Sequence, residues 1–239
     1  MLRKCLAALT IGCVSVLSVS SANADLVITE ILYNEVGSNS DGEWVEIYNN
    51  GTTAIDLTNY KIGDEETAES VSLTEGMFYF PTGAIINPGE VQLVAIDGGV
   101  FFDVYGFLPT YEIFDSGNGL GQLTVYGDWD PDTDPSNRIN MSNGNDQIAI
   151  LGADDSIIDA ANWGNNFYLD PGLDASAESD GQSYYRVNPL VDTDTASDWA
   201  LTNIDILSTP GFVAVPEPSS AMVLGLVGLA VAARRRRRS

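Results

Sequence analysis

The sequence has no histidine, and its two cysteines, Cys5 and Cys13, both lie near its start. Ser-His-Asp and Cys-His catalytic systems, and zinc sites with histidine ligands, each need one of these side chains. No glycine-rich phosphate-binding or dinucleotide-binding motif leads from an apolar run into a helix. The enzyme classes left open are hydrolases with a pair of carboxylates and enzymes with an all-carboxylate metal site.

Basic residues are also scarce. Only Lys61, Arg138 and Arg186, of ten, lie between residues 25 and 215, whereas 33 of the 34 acidic residues do. The formal charge of that stretch is therefore −30, against −24 for the whole chain. Such a surface repels anionic lipid headgroups and nucleic-acid phosphates, which excludes nucleic acid as a partner. Self-repulsion also destabilises the compact state unless salt or bound cations screen it.

The N-terminus has the pattern of a secretory signal peptide. Two basic residues precede an apolar stretch from Cys5 to Val19, and Ala22 and Ala24 form a small-x-small cleavage site. We therefore predict that signal peptidase removes residues 1–24. Both cysteines leave with them, so the exported protein has no disulfide. Lipoprotein cleavage before Cys13 is the alternative, but the apolar run continues well past that residue.

The C-terminal residues combine a proline motif, a short apolar span and a basic block. The span, residues 220–233, is shorter than the roughly 20 residues that a stable membrane helix needs. The basic block keeps its end of the span on the cytoplasmic side. This arrangement suits a transient stop in the inner membrane. The motif consists of Val215, Pro216, Glu217, Pro218 and Ser219, and the block of Arg234, Arg235, Arg236, Arg237 and Arg238.

Residues 213–239 thus resemble the PEP-CTERM sorting signal. The resemblance implies processing at the Pro-Glu-Pro motif by an exosortase-like enzyme during export in a Gram-negative bacterium. It also implies a final location at the cell surface or in the extracellular matrix, after a transient form held in the inner membrane by residues 220–233. An ordinary tail anchor is the alternative.

The residues between the two targeting segments have the pattern of short strands separated by turns. Apolar or alternating runs recur, with clusters of Asn, Gly, Asp or Pro between them. About 190 residues are enough for one sizeable core, so we predict a single all-β domain, a β-sandwich. The predicted strands cover residues 26–32, 44–48, 54–62, 77–80, 91–96, 120–126, 147–151, 157–160 and 183–187.

Short motifs also follow one another in a particular order. They are LVITEILYN (26–34), EWVEIYNNG (43–51), IDLTNYKIGD (55–64), INPGE (86–90), SNGNDQI (142–148), IID (157–159), WG (163–164), GQSYYR (181–186), DW (198–199) and STPG (208–211). This succession, over residues 25–212, resembles the secreted bacterial form of the lamin-tail domain. The resemblance implies an immunoglobulin-like β-sandwich, found beside secreted enzymes or as a surface module. Residues 98–140 look like an insertion into the family pattern.

Two glutamates lie on apolar strand faces. Alternation places Glu30 on one face with Ile28 and Leu32, and Glu46 on a face with Trp44. A buried carboxylate needs a partner. The structural interpretation is that Glu30 or Glu46 accepts hydrogen bonds from loop amides or pairs with Arg186. The functional alternative is a catalytic carboxylate pair, as in glycoside hydrolases.

The aromatic residues of the motifs also have two interpretations. They can form the core and rim of the sandwich, which we expect for most of them, or a platform for sugar binding. The residues concerned are Trp44, Tyr48, Trp163, Tyr184, Tyr185 and Trp199.

An acidic loop is the strongest candidate for metal binding. Four aspartates alternate in a stretch that prolines keep out of helices and central strands, and such oxygen ligands suit calcium. The loop lacks the glycine and the terminal glutamate of an EF-hand. A solvated acidic loop is the alternative interpretation. The aspartates are Asp128, Asp130, Asp132 and Asp134, and a weaker second cluster contains Asp192, Asp194 and Asp198.

Together these features predict an exported, non-enzymatic surface or matrix protein with a binding or scaffolding role. Its partners would be signal peptidase, an exosortase-like enzyme and extracellular polysaccharide. The alternatives are a secreted hydrolase with a carboxylate pair and a calcium-dependent adhesin.

Calcium binding can be tested by thermal unfolding of residues 25–215 at fixed ionic strength. A site at about one hundred times its Kd stabilises the native state by about 2.7 kcal/mol. We expect millimolar calcium to raise the melting temperature, and replacement of Asp130 and Asp132 by Asn to abolish the rise. An equal rise with magnesium, or none at all, would identify a solvated loop.

Overall fold

The part of the chain that the computed structural model describes contains fourteen short strands, one α-helix and two 3-10 helices of three residues each. That part comprises residues 25–37, 40–65, 75–126, 138–164, 168–169, 171–177, 179–203 and 208–215. The elements are β1 (Leu26–Leu32), β2 (Trp44–Asn49), β3 (Ile55–Asp56), β4 (Lys61–Gly63), β5 (Met77–Tyr79), β6 (Ile85–Ile86), β7 (Val91–Asp97), α1 (Gly98–Tyr105), β8 (Tyr111–Phe114), β9 (Gly121–Gln122), β10 (Thr124–Val125), β11 (Asp146–Leu151), β12 (Ile157–Trp163), β13 (Tyr184–Arg186) and β14 (Trp199–Leu201).

The strands form two main sheets. The first has the order β14-β13-β1-β2-β7-β8-β9, and the second has the order β10-β5-β4-β11-β12. Strands β7, β8 and β9 are parallel, whereas the other pairs in these sheets are antiparallel. A third, two-stranded sheet pairs β3 with β6. The prediction of an all-β fold is therefore confirmed.

The main core lies between the two sheets. Alternate residues of β2 and β7 point into it from the first sheet, among them Val45, Ile47 and Val94. The second sheet contributes side chains such as Ile148 and Ile150 from β11. Burial of such apolar side chains is the main term that stabilises the sandwich.

The predicted placement of Glu30 on one face with Ile28 is wrong, because β1 contains a bulge. The pairing of β1 with β2 shifts register between Ile28 and Glu30. A bulge breaks strict alternation, so Ile28 and Ile31 both belong to the main core. Leu32 belongs to a separate apolar cluster on the outer face of the first sheet. Glu30 therefore shares a face with Leu32 but not with Ile28.

Helix α1 covers that outer face. Its N-cap, Asp97, accepts hydrogen bonds from the amides of Gly99 and Val100, which satisfies donors that the first turn leaves free. The buried outer cluster consists of Leu32, Trp44, Leu93, Ala95 and Phe101, with Tyr105 packed against it. The segment proposed as an insertion thus supplies α1 and strands at the edges of both main sheets, although its boundaries stay a prediction.

A buried ion pair joins the two main sheets at one edge. Arg186 on β13 and Asp159 on β12 lie 2.8 Å apart, and each side chain is 1% exposed. The backbone of β1 completes the arrangement, since the Ile28 amide donates to Asp159 and the Ile28 carbonyl accepts from Arg186 Nε. One cation therefore connects three strands of the two sheets.

The targeting segments lie outside the described residues. This applies to the signal peptide 1–24 with Ala22 and Ala24, to the motif residues 216–219, to the apolar span 220–233 and to the basic block 234–238. No helix among the residues that are described is long and apolar enough to cross a membrane.

The ion pair leads to a stability prediction. Replacing Arg186 with Gln leaves Asp159 buried without its cation, and we expect this to lower the free energy of unfolding by about 3–5 kcal/mol. Urea denaturation measures the change. The matched control is Arg138→Gln, because Arg138 is 21% exposed and pairs with a surface aspartate. We expect that variant to lose at most about 1 kcal/mol; equal losses in the two variants would contradict the assigned role.

Candidate functional site

The two glutamates singled out in the sequence are opposite each other in neighbouring strands. Glu30 on β1 pairs in register with Glu46 on β2. Glu30 is 1% exposed and Glu46 is not exposed at all. Two like charges at such positions repel each other, and each is costly to bury without hydrogen bonds. This carboxylate pair therefore depends on the donors around it.

Those donors come largely from a C-terminal strap, residues 208–215. The Thr209 amide donates to Glu30 Oε1 at 2.7 Å, and the Thr209 hydroxyl donates to Glu30 Oε2 at 2.8 Å. The Gly211 amide donates to Glu46 Oε2 at 2.7 Å. Two side-chain hydroxyl groups also donate: Ser183, which directly precedes β13, donates to Glu30, and Thr29 on β1 donates to Glu46. All four carboxylate oxygens therefore accept a hydrogen bond.

Burial changes the acidity of the pair. Desolvation raises the pKa of Glu46 to about 7, and the nearby charge of Glu30 adds to this effect. Desolvation also raises the pKa of Glu30 above its usual value, although its hydrogen bonds with Ser183 and Thr209 act in the opposite direction. A proton on one of the carboxyl groups relieves their repulsion.

The strap is also fastened to α1. The Tyr105 hydroxyl lies 2.6 Å from the Ser208 hydroxyl and accepts a hydrogen bond from Trp44 Nε1 at 3.0 Å. The strap turns at Gly211, whose φ of +83° favours glycine. A side chain from α1 thereby links β2 to the beginning of the strap.

A cavity of about 260 Å³ lies between the strap and the sheet. Both glutamates line it, together with Tyr185, Phe212 and Ala214. Its size and mixed lining would admit a small ligand beside two carboxyl groups.

Of the two alternatives for the strand glutamates, hydrogen bonds from loop amides are observed, whereas Arg186 pairs with other carboxylates. Among the described residues its guanidinium forms ion pairs with Asp159, Asp192 and Asp198, at 2.8, 2.9 and 3.7 Å. It also lies over the Trp199 ring, 4.7 Å from the centroid. In the second acidic cluster of the sequence, two of the three aspartates therefore surround a guanidinium.

Further buried carboxylates at strand ends were missed in the sequence. Asp64, fully buried, accepts from the amides of Gly76 and Asn140. Glu43 accepts from the Met141 amide, and desolvation raises its pKa to about 10. Both carboxylates lie within two residues of a predicted strand, which could have indicated a role. The indication is weak, because carboxylates at strand ends are also common in exposed turns.

The aromatic residues lie mainly inside the fold. Trp44 and Trp163 are not exposed, and Tyr184 and Trp199 are 6% and 7% exposed. Tyr33 stacks on Trp163 with centroids 4.2 Å apart. These side chains pack the protein, and so they do not present an exposed platform to a sugar.

The proposed calcium ligands are outside the described residues, as are most of the sorting residues. Asp128, Asp130, Asp132 and Asp134 all belong to the undescribed stretch 127–137. Within the described ranges, no three or more Asp, Glu, His or Cys residues are arranged to hold a metal ion. Val215 is described and is 44% exposed. The structure thus brings together Glu30, Glu46 and the strap that leads to the sorting motif.

A family model, Lamin Tail Domain, matches residues 19–165. The chain belongs to this family. The match supports the immunoglobulin-like β-sandwich, and β13, β14 and the strap lie beyond the matched residues. A second model, the PEP-CTERM protein-sorting motif, matches residues 214–238. The lamin tail domain therefore belongs to an exported protein of the cell surface or exterior of a Gram-negative bacterium, sorted by exosortase-type machinery.

Solved structures support the same fold. One similar structure is a DUF4876 family protein from Bacteroides thetaiotaomicron, with a TM-score of 0.50 and 12% sequence identity. The alignment covers 82% of this chain and 73% of that protein. At this identity the likeness concerns the fold alone. No curated protein matches the chain.

The raised pKa of Glu46 predicts a pH dependence of stability. The folded state keeps a proton between pH 4.5 and about 7 that the unfolded chain releases. The contribution of Glu46 is therefore complete below pH 4.5 and is lost as the pH rises to 7, at about 1.4 kcal/mol per pH unit. Urea denaturation across this range should show that Glu46→Gln reduces the total slope by this amount, since other buried carboxyl groups with raised pKa values contribute the rest. Asp103→Asn, on the exposed side of α1, is the control, and an unchanged slope in Glu46→Gln would contradict the assignment.

Proposed function

We propose that this protein is a non-enzymatic surface or matrix protein whose lamin tail domain binds or scaffolds extracellular material. The observation that carries the proposal is the engagement of the carboxylate pair. Every oxygen of Glu30 and Glu46 accepts a hydrogen bond, and the strap supplies three of the donors. A catalytic carboxylate must instead reach a substrate or a water molecule.

The place of the strap in the chain supports a structural role for this pair. Gly211, whose amide donates to Glu46, precedes Pro216 by five residues. Five extended residues span at most about 18 Å. By binding the strap, the pair therefore limits how far the start of the sorting signal can lie from the first sheet.

The charge of the exported stretch supports a role in an extracellular matrix. A formal charge of −30 needs screening by cations. Divalent cations can bridge such a surface to another copy or to an acidic polysaccharide. In this form of the proposal the Asp-rich loop binds calcium, and the protein contributes to an exopolysaccharide matrix. A calcium-dependent adhesin differs in that chelator releases it from one defined glycan or cell.

A secreted hydrolase is the second candidate, and one observation favours it. The cavity beneath the strap is lined by both glutamates, and the pKa of Glu46, about 7, suits a general acid at neutral pH. For catalysis the strap must leave the pair, because its donors occupy the oxygens that would act on a substrate.

Substitution by glutamine separates the two functions. In a scaffold, Glu30→Gln and Glu46→Gln weaken charge-assisted hydrogen bonds to the strap, each worth about 1.5–3 kcal/mol. We expect faster hydrogen exchange at the Thr209 and Gly211 amides and no polysaccharide hydrolysis by parent or variants. Glu90→Gln, which alters hydrogen bonds to the Asn87 turn, is the control. Hydrolysis by the parent that Glu46→Gln abolishes, with the strap amides still protected, would establish the hydrolase.

A further inference from the structure

A set of exposed apolar side chains, here called the apolar patch, lies on the two segments that meet where the strap contacts α1. It consists of Val104, Phe107, Leu108, Phe212 and Val215, which are 66%, 39%, 40%, 69% and 44% exposed. Large apolar side chains that cluster on a surface mark an interaction site, whereas single ones are ordinary.

Contacts join the two segments that carry the patch. The Phe107 ring packs edge-on against Phe101, with centroids 5.3 Å apart. It also borders the strap, since a Cβ atom built on Gly211 would lie 3.7 Å from the ring. The hydrogen bond between Tyr105 and Ser208 holds the two segments together. Phe107 is therefore beside the strap at Gly211, and the two segments that carry the patch are held to each other.

The patch is poor in charge within a highly acidic stretch. Residues 98–111 and 208–215 contain one charged residue, Asp103, although residues 25–215 carry 33 acidic residues. Elsewhere the acidic surface repels a bilayer with anionic lipids. This part of the surface can approach such a bilayer with little repulsion.

The position of the patch along the chain identifies its occupant. Val215 belongs to the patch, and the apolar span of the sorting signal begins five residues later, at residue 220. Five residues extend at most about 18 Å. While the span is in the inner membrane, the patch is thus held beside the membrane surface. This step rests on the transient membrane-held form that the sequence analysis predicts.

We propose that this patch docks into the interfacial region of the bilayer while the sorting signal is still membrane-held. Phe107, Leu108 and Phe212 enter the boundary between headgroups and acyl chains, as apolar faces of peripheral proteins do. Docking orients the domain with its strap toward the membrane and places the Pro-Glu-Pro motif at the bilayer surface. Removal of the span then leaves a weak contact, which releases the acidic domain.

Site-specific fluorescence in vesicles tests the docking. The exported chain from residue 25, with its C-terminal signal, has no cysteine, so single cysteines can carry an environment-sensitive probe. Val104→Cys and Phe212→Cys report on the patch. Ile85→Cys and Ile157→Cys are matched controls, because both isoleucines are 51% exposed and lie in strands outside the patch. The vesicles contain phosphatidylethanolamine and phosphatidylglycerol.

We expect a blue shift at positions 104 and 212, and loss of emission with lipids brominated near the headgroup, but neither change at positions 85 and 157. Vesicle flotation of each sample shows whether the chain is membrane-held. A chain that floats without any difference between the two sets of probes overturns docking and leaves the anchor intact. A chain that does not float overturns both.

Two further outcomes would assign the patch to another occupant and overturn the proposal. A shift without vesicles that grows with protein concentration would indicate a second copy of the chain. A shift without vesicles that is independent of concentration would indicate that residues 216–239 cover the patch. Val104→Glu with Phe212→Glu should abolish the lipid-dependent shift of a probe at position 108, whereas Ile85→Glu with Ile157→Glu should leave it unchanged. Failure of this contrast would also count against docking. None of these results depends on whether Glu30 and Glu46 are catalytic.

Discussion

The burial of carboxylates in a stretch with only three basic residues is the constraint on which this structure depends. Arg186 neutralises Asp159 where the two main sheets meet, but one guanidinium cannot serve every buried acid. Backbone amides and hydroxyl groups take its place: they donate to Glu30, Glu43, Glu46 and Asp64. Each of these acids fixes a loop or the strap, because a buried carboxylate without donors would destabilise the fold. Acidic residues thus organise much of the polar interior of the described part.

The same constraint explains why the outer face of the first sheet is covered. Glu30 and Glu46 lie on that face beside the apolar cluster of Trp44 and Leu32. Contact with water would stabilise the carboxylates but not the apolar side chains. Helix α1 covers the apolar side, and the strap covers the carboxylates. The hydrogen bond between Tyr105 and Ser208 joins the two covers. The exposed side chains of the apolar patch lie on the two segments that this hydrogen bond joins.

Local pattern was sufficient to predict several strands but not the contacts between them. The predicted run 26–32 coincides with β1, and the predicted runs 91–96 and 147–151 differ from β7 and β11 by one residue at one end. Alternation failed at Glu30, because the bulge depends on the pairing of β1 with β2. Of the two kinds of partner suggested for the glutamates, loop amides are present and Arg186 is not. Arg186 pairs instead with Asp159, which lies 27 residues away in the chain and in the other sheet. The strap contacts the glutamates through residues that are far apart in the chain. Gly211 and Glu46 are 165 residues apart, and Thr209 and Glu30 are 179 residues apart. A local sequence pattern does not predict such contacts.

Buried carboxyl groups also change how the extreme charge should be understood. Desolvation raises the pKa of Glu43 to about 10, so at neutral pH this group favours its neutral form. Desolvation also raises the pKa of Asp64 well above its usual value. Glu46, with a pKa of about 7, is divided between its two forms. The folded domain therefore carries less charge than the formal −30, and the unfolded chain carries more than the fold does. This difference weakens self-repulsion in the native state but makes stability fall as the pH rises. Among the charged groups that remain, the exposed aspartates and glutamates are those that cations of the cell exterior can reach.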